Sequence, residues 1–182
     1  SSQASLLNFL GKSKFKMKVF ICSLFLLAFM LPAGAQEFKV PKEPKMEKAE
    51  DYKAYEEDVL ACINWLSSHG PEEESSKRKK ASAFLLLWLT GTPAVSMELH
   101  AEMIEYSEKN PELLILFMGG WAKYVLETGD KDATAGNVAG LEMVINYYNQ
   151  YKDQMSKDRS LKKLSKKMEG GELKTYVEES LN

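Results

Sequence analysis

Asn110-Pro-Glu-Leu-Leu-Ile-Leu-Phe-Met-Gly-Gly-Trp-Ala-Lys-Tyr-Val-Leu-Glu-Thr-Gly129 is the stretch that decides the fold. Asn110 is a good N-cap, Pro111 suits the first helical turn, and Glu112 complements the positive end of the helix dipole. Gly129 stands where a helix ends in the left-handed conformation. From Leu113 to Leu126 the only charge is Lys123. A helix apolar on nearly every side is buried on nearly every side. Its 14 residues fall short of the roughly 20 needed to cross a bilayer. The expectation is an all-α fold, a compact antiparallel bundle of about six helices around a central apolar helix near 111–128.

The same caps and periods place the other helices. Over 51–68, Tyr52, Tyr55, Val59, Ile63 and Leu66 recur at spacings of three and four, and His69-Gly70-Pro71 ends the pattern. A helix over 72–90 begins with acids followed by bases, pairing Glu73 with Lys77 and Glu74 with Arg78. Its second half, Ala81 to Leu89, is apolar on most sides, so it joins the central helix in the inner layer. Lys77-Arg-Lys-Lys80 reads as a solvated face. Val95, Leu99, Met103 and Tyr106 predict an amphipathic helix over 96–109. Further helices are expected over 132–152 and 157–168, with a short seventh from Glu172. Gly136, Ala139 and Gly140 are small enough to admit another helix closely, and the Gly119-Gly120 pair marks a kink or a close crossing.

Four lysines (Lys12, Lys14, Lys16, Lys18) and no acid precede an apolar run from Val19 to Leu31, then Pro32-Ala33-Gly34-Ala35. A basic region, a short apolar core and a small-x-small site describe a secretory signal peptide. Residues 1–16 read as an upstream extension, 17–35 as the signal, 36–50 as a flexible tether and 51–182 as one helical domain. Cleavage near Ala35-Gln36 and a periplasmic or secreted destination follow. Without residues 1–35 the bases fall from 24 to 20 against 26 acids, which disfavours generic nucleic-acid binding.

Cys62 is the one cysteine after Cys22, so no disulfide forms within the mature chain. Set in Val59-Leu-Ala-Cys-Ile-Asn-Trp65, it reads as a small buried apolar residue. His69 and His100 have no ligand partners at helical spacing, so no metal and no cofactor are expected. There is no phosphate loop and no dinucleotide fingerprint.

Two candidate interaction surfaces remain. One is aromatic: Trp121, Tyr124, Tyr147, Tyr148 and Tyr151, residue types that favour interfaces and also core edges. The other is basic: 152–167 holds seven bases, Lys162, Lys163, Lys166 and Lys167 among them, against Asp153 and Asp158. Phe84-Leu-Leu-Leu-Trp-Leu-Thr-Gly-Thr-Pro93 and Asn110 to Tyr124 resemble segments of small exported bacterial helical proteins of unassigned function. The resemblance covers the middle half of the mature chain. It implies a helical fold and a periplasmic setting, with no activity to carry over.

Three functions are therefore in view. The first is an exported, non-enzymatic domain that binds a protein or an envelope surface. The second is a hydrolase with a site assembled from dispersed Glu, Tyr and Cys62. The third is a membrane-surface module using 152–167.

Overall fold

Leu113, Leu116, Phe117, Trp121, Ala122 and Val125 are buried along one helix, Glu112–Thr128, which is the centre of the molecule. A computed structural model describes residues 38–182. The expected extension, signal peptide and cleavage point lie outside the described residues. Within them are seven α-helices: α1 Ala49–Ala54, α2 Glu56–Ser68, α3 Ser75–Gly91, α4 Glu112–Thr128, α5 Ala133–Tyr151, α6 Arg159–Glu169 and α7 Leu173–Ser180. Among the described residues there is no strand, and the helices pack as an all-α bundle.

The two central glycines serve two different neighbours. A Cβ on Gly119 would make ordinary contact with Ile63 of α2 and Leu85 of α3, at 3.4 and 3.5 Å. A Cβ on Gly120 would lie 2.7 Å from the Ala139 carbonyl and 2.9 Å from the Gly140 Cα, both on α5. From the other side, a Cβ on Gly140 would lie 2.7 Å from the Phe117 carbonyl. The pair marks a close crossing of α4 and α5. A helix-interior glycine costs about 1 kcal/mol relative to alanine, and the backbone approach is what offsets it here. Gly129 then ends α4 with φ +73°, its N–H on the Val125 carbonyl at 2.8 Å. Asp132 caps α5 by accepting from Ala135 N–H at 2.8 Å.

Five expectations are corrected. The segment 96–109 is not an α-helix but two 3₁₀ turns, Ala101–Met103 and Glu105–Glu108, after an extended stretch. Glu98, Glu102, Glu105 and Glu108 would stand three or four apart along an α-helix, and like charges at that spacing destabilise it. Met103 and Tyr106 are still buried, because a spacing of three suits a 3₁₀ turn equally well, while Leu99 is exposed. Second, α3 is not enclosed on all sides: Leu86 and Leu87 are 47% and 45% exposed. Third, Arg78 does not lie on a solvated face but is buried.

The fourth concerns the tether. Phe38 is buried with its ring 6.1 Å from that of Trp65, and Val40 and Met46 pack on the core. The Tyr52 hydroxyl donates to the Met46 carbonyl at 3.0 Å. Three apolar side chains are enough to seat this segment although prolines and charges dominate it. The expected helix over 51–68 also breaks at Tyr55, whose φ and ψ of −100° and 4° separate α1 from α2.

Candidate interaction surface

The end of α2 shows what two of the candidate aromatics, Tyr147 and Tyr151, are bonded to. A helix leaves its last carbonyls without partners, and cations complement its C-terminus. Here Arg78 donates to the carbonyls of Leu66, at 3.2 Å, and of His69. Tyr147 donates to the His69 carbonyl at 3.0 Å, and Tyr151 to that of Ser68 at 2.7 Å. His69 itself stacks on Trp65 with ring centroids 4.4 Å apart. Three side chains from α3 and α5 thus close α2 from across the bundle. Burial pushes the Tyr147 phenol up to about 12, against the opposing pull of Arg78.

The other aromatics are placed as follows. Trp121 is buried, and a Cβ on Gly136 would fall 2.2 Å from its indole nitrogen, so the indole fills the space glycine leaves. Tyr148 is buried and its hydroxyl accepts from Asp158 N–H at 3.3 Å. Tyr124 is half-buried and donates to Asp130. That bond raises the Tyr124 phenol and lowers the Asp130 carboxyl. None of these five side chains stands fully exposed.

The basic residues do reach the surface. Asp158 sets the start of α6, accepting from Ser160 N–H at 2.7 Å and Leu161 N–H at 3.3 Å. Burial alone would raise its carboxyl. The bonds from the Ser160 side chain and backbone and from Leu161, with Lys109 at 3.8 Å, outweigh burial and hold it below its usual value. Leu161 and Leu164 turn inward and are buried. Arg159, Lys162, Lys163 and Lys166 are then exposed by the helical period.

Two clefts divide these lysines. A cleft of about 600 Å³ is lined by Lys109, Lys152, Lys157, Arg159 and Lys162, with Tyr148, Asn149, Asp153, Asp158 and Ser165. Lys163 and Lys167 instead face the 3₁₀ turns and α7 across a second cleft. Among the described residues, Lys152, Lys157, Arg159, Lys162 and Lys166 have no ion-pair partner.

Cys62 is fully buried, donates to the Ala81 carbonyl at 3.3 Å, and has its thiol pushed up to about 12 by burial and then by Asp58. That is the environment of an inert thiol rather than of a nucleophile. No group of three or more His, Cys, Asp or Glu able to hold a metal occurs among the described residues.

Sequence reasoning missed Arg78, although a signal was there. Arg78 continues the stripe Ala81, Leu85, Trp88 at spacings of three, four and three, which places it on the buried face of its helix. Comparison with family models, curated proteins and solved structures finds no match for this chain.

Proposed function

We propose that this is an exported, non-catalytic binding domain that attaches to an anionic envelope surface through α6 and the turn before it. Export rests on the reading of 17–35 as a signal peptide. The observation that carries the rest is the set of five cations, Lys152, Lys157, Arg159, Lys162 and Lys166, exposed together and unpaired among the described residues. Each Lys or Arg held near an anionic lipid surface contributes about 1 kcal/mol. Clusters of about four to eight Lys and Arg on a helix are the pattern by which anionic-lipid binding is recognised in sequence.

The apolar stripe of α6 supports a purely electrostatic contact. Leu161 and Leu164 are committed to the core and are not free to insert between acyl chains. No helix among the described residues is long and apolar enough to cross a membrane. Burial of Trp121, Tyr147 and Tyr148 weighs against the aromatic route to a protein partner. Burial of Cys62 weighs against a hydrolase built on that thiol.

Co-sedimentation with phosphatidylglycerol and with phosphatidylcholine vesicles tests the reading. Binding to the anionic vesicles alone is expected, with release at about 1 M salt, where the screening length falls to about 3 Å. Equal binding to both vesicle types, or to neither, rejects it.

A further inference from the structure

Helix α3 turns one face to solvent. Lys79, Lys80, Ala83, Leu86, Leu87 and Thr90 share it by the helical period, and all are exposed. The face is divided, with cations toward its N-terminal end and apolar groups in its C-terminal half. Leu86 and Leu87 are, with Leu99, the large apolar side chains left exposed among the described residues. A single exposed leucine needs no explanation, but an adjacent pair at the edge of a concavity does. That concavity is a groove of about 1150 Å³ between α3 and Val40-Pro-Lys-Glu-Pro44, and Ala83, Phe84 and Leu87 line it.

The C-terminal end of α3 lacks the cations that its first half holds in surplus. Pro93 has no N–H, so the Leu89 carbonyl has no donor four residues on. Among the described residues the carbonyls of Leu89, Thr90 and Gly91 accept no hydrogen bond, and the last turn carries no basic residue. This end is the negative pole of a 17-residue helix. One face thus holds a knob, Leu87, a hole over Ala83, a cationic end and an uncompensated negative end.

We infer that α3 pairs antiparallel with α3 of a second copy, about a two-fold axis level with Leu85. Leu87 of each copy then seats over Ala83 of the other, in the groove walled by Val40 and Pro44. The two Leu86 side chains lie beside the axis. Lys79 and Lys80 of each copy come alongside Thr90 and Gly91 of the other, where cations complement the open carbonyls. Every contact is made twice, as an isologous interface requires. Charge decides the direction. A parallel pairing would set the lysines of the two copies side by side, where like charges repel. The antiparallel one parts them by about ten residues of helix, roughly 15 Å, beyond the screening length of about 8 Å at physiological salt. None of these residues belongs to 152–167, so the pairing is separate from attachment through α6.

Sedimentation equilibrium of the full chain, with oxidative cross-linking, tests the pairing and its direction. A reversible monomer–dimer equilibrium is expected. Leu87→Glu removes an apolar contact made twice and should weaken the dimer by at least about thirtyfold. The melting temperature of the dilute protein should not move, because Leu87 is exposed in the single copy. Lys79→Glu with Lys80→Glu turns complementarity with the helix end into repulsion, and should weaken the dimer by at least about tenfold. In a Cys22→Ser background, Ala83→Cys mixed with Leu87→Cys should cross-link as the mixed dimer in preference to either alone. The buried Cys62 stays out of that reaction. A chain that is monomeric throughout, an assembly that survives Leu87→Glu, or cross-linking by each cysteine variant alone as readily as by the mixture overturns the assignment.

Discussion

Asn110 and Ser156, 46 residues apart, are joined by a reciprocal pair of hydrogen bonds: the Asn110 side-chain amide donates to the Ser156 carbonyl at 3.1 Å and accepts from the Ser156 N–H at 2.9 Å. Asn110 was expected to cap α4. Its side chain instead fastens the loop that leads into α6, and it is 1% exposed. Asn110→Ala removes both bonds and returns the carbonyl and N–H of Ser156, an exposed residue, to solvent. A loss of about 1–2 kcal/mol is expected, since each net bond is worth about 1. Urea denaturation measures it. A loss below about 0.5 kcal/mol would show that water replaces the amide freely.

Gly120 and Gly140 carry the α4–α5 crossing by letting two backbones touch. Gly140→Ala places a methyl 2.7 Å from the Phe117 carbonyl, and Gly120→Leu drives a larger group against Ala139 and Gly140. Backbone cannot swing aside as a side-chain tip can. Each substitution is expected to destabilise by about 1–3 kcal/mol, Gly120→Leu the more. An unchanged melting temperature in Gly120→Leu would mean the crossing is looser than described.

Arg78 closes α2, and the exposed Lys79 and Lys80 do not. Arg78→Met keeps the buried methylenes and removes the donors to Leu66 and His69. Hydrogen bonds from a charged group are worth about 1.5–3 kcal/mol, and that is the expected cost. Lys79→Met and Lys80→Met alter exposed side chains and should move stability by no more than about 0.5 kcal/mol. Equal effects at the three positions would contradict a specific role for Arg78.

What was legible in the sequence, and what was not, follows from this contrast. Helix α4 was readable because Gly129, composition and length agree on one element, although Asn110 does not cap it, and Gly120 and Gly140 because small residues have few other reasons to sit inside helices. The Val95, Leu99, Met103, Tyr106 stripe marked three buried residues and one exposed, Leu99, but not their conformation, since a spacing of three serves a 3₁₀ turn as well as an α-helix. Tyr147 and Tyr151 read as surface candidates because a carbonyl 78 or 83 residues away is invisible to any local pattern. The cleft formed by Glu102, Glu105, Tyr106, Lys163 and Lys167 was illegible for the same reason: α6 and the turns meet only in the folded chain.

Alkaline stability reports on the buried acids. The Cys62 thiol is raised from 9.0 to about 12 and the Tyr147 phenol from 10.0 to about 12, in each case mainly by burial. Below about pH 8 both are neutral folded and unfolded, and they add no pH dependence. Above it the unfolded chain loses these protons first, so the folded state binds more protons and stability falls as pH rises toward 12. Cys62 contributes up to about 1.4 kcal/mol per pH unit to that fall. Cys62→Ala should be less stable at pH 7 and decline less steeply between pH 9 and 12. An identical slope in the two proteins would show that the thiol is not titrating as its burial requires.

Charge reversal on α6 tests the surface proposal independently of the fold. Lys162 and Lys166 are exposed, and neither touches the core, so Lys162→Glu with Lys166→Glu should leave the melting temperature nearly unchanged. Each reversal removes about 1 kcal/mol of attraction to an anionic surface and adds a similar repulsion. The pair should therefore lower partitioning onto phosphatidylglycerol vesicles by more than about 100-fold. A control reversal on α1, Lys53→Glu, keeps the same net-charge trend but lies outside the segment 152–167, and should have a far smaller effect. If Lys53→Glu matched the α6 pair per charge, attachment would follow overall charge and the basic face would lose its special standing. If the α6 pair bound as the parent does, the five cations would not be the contact at all.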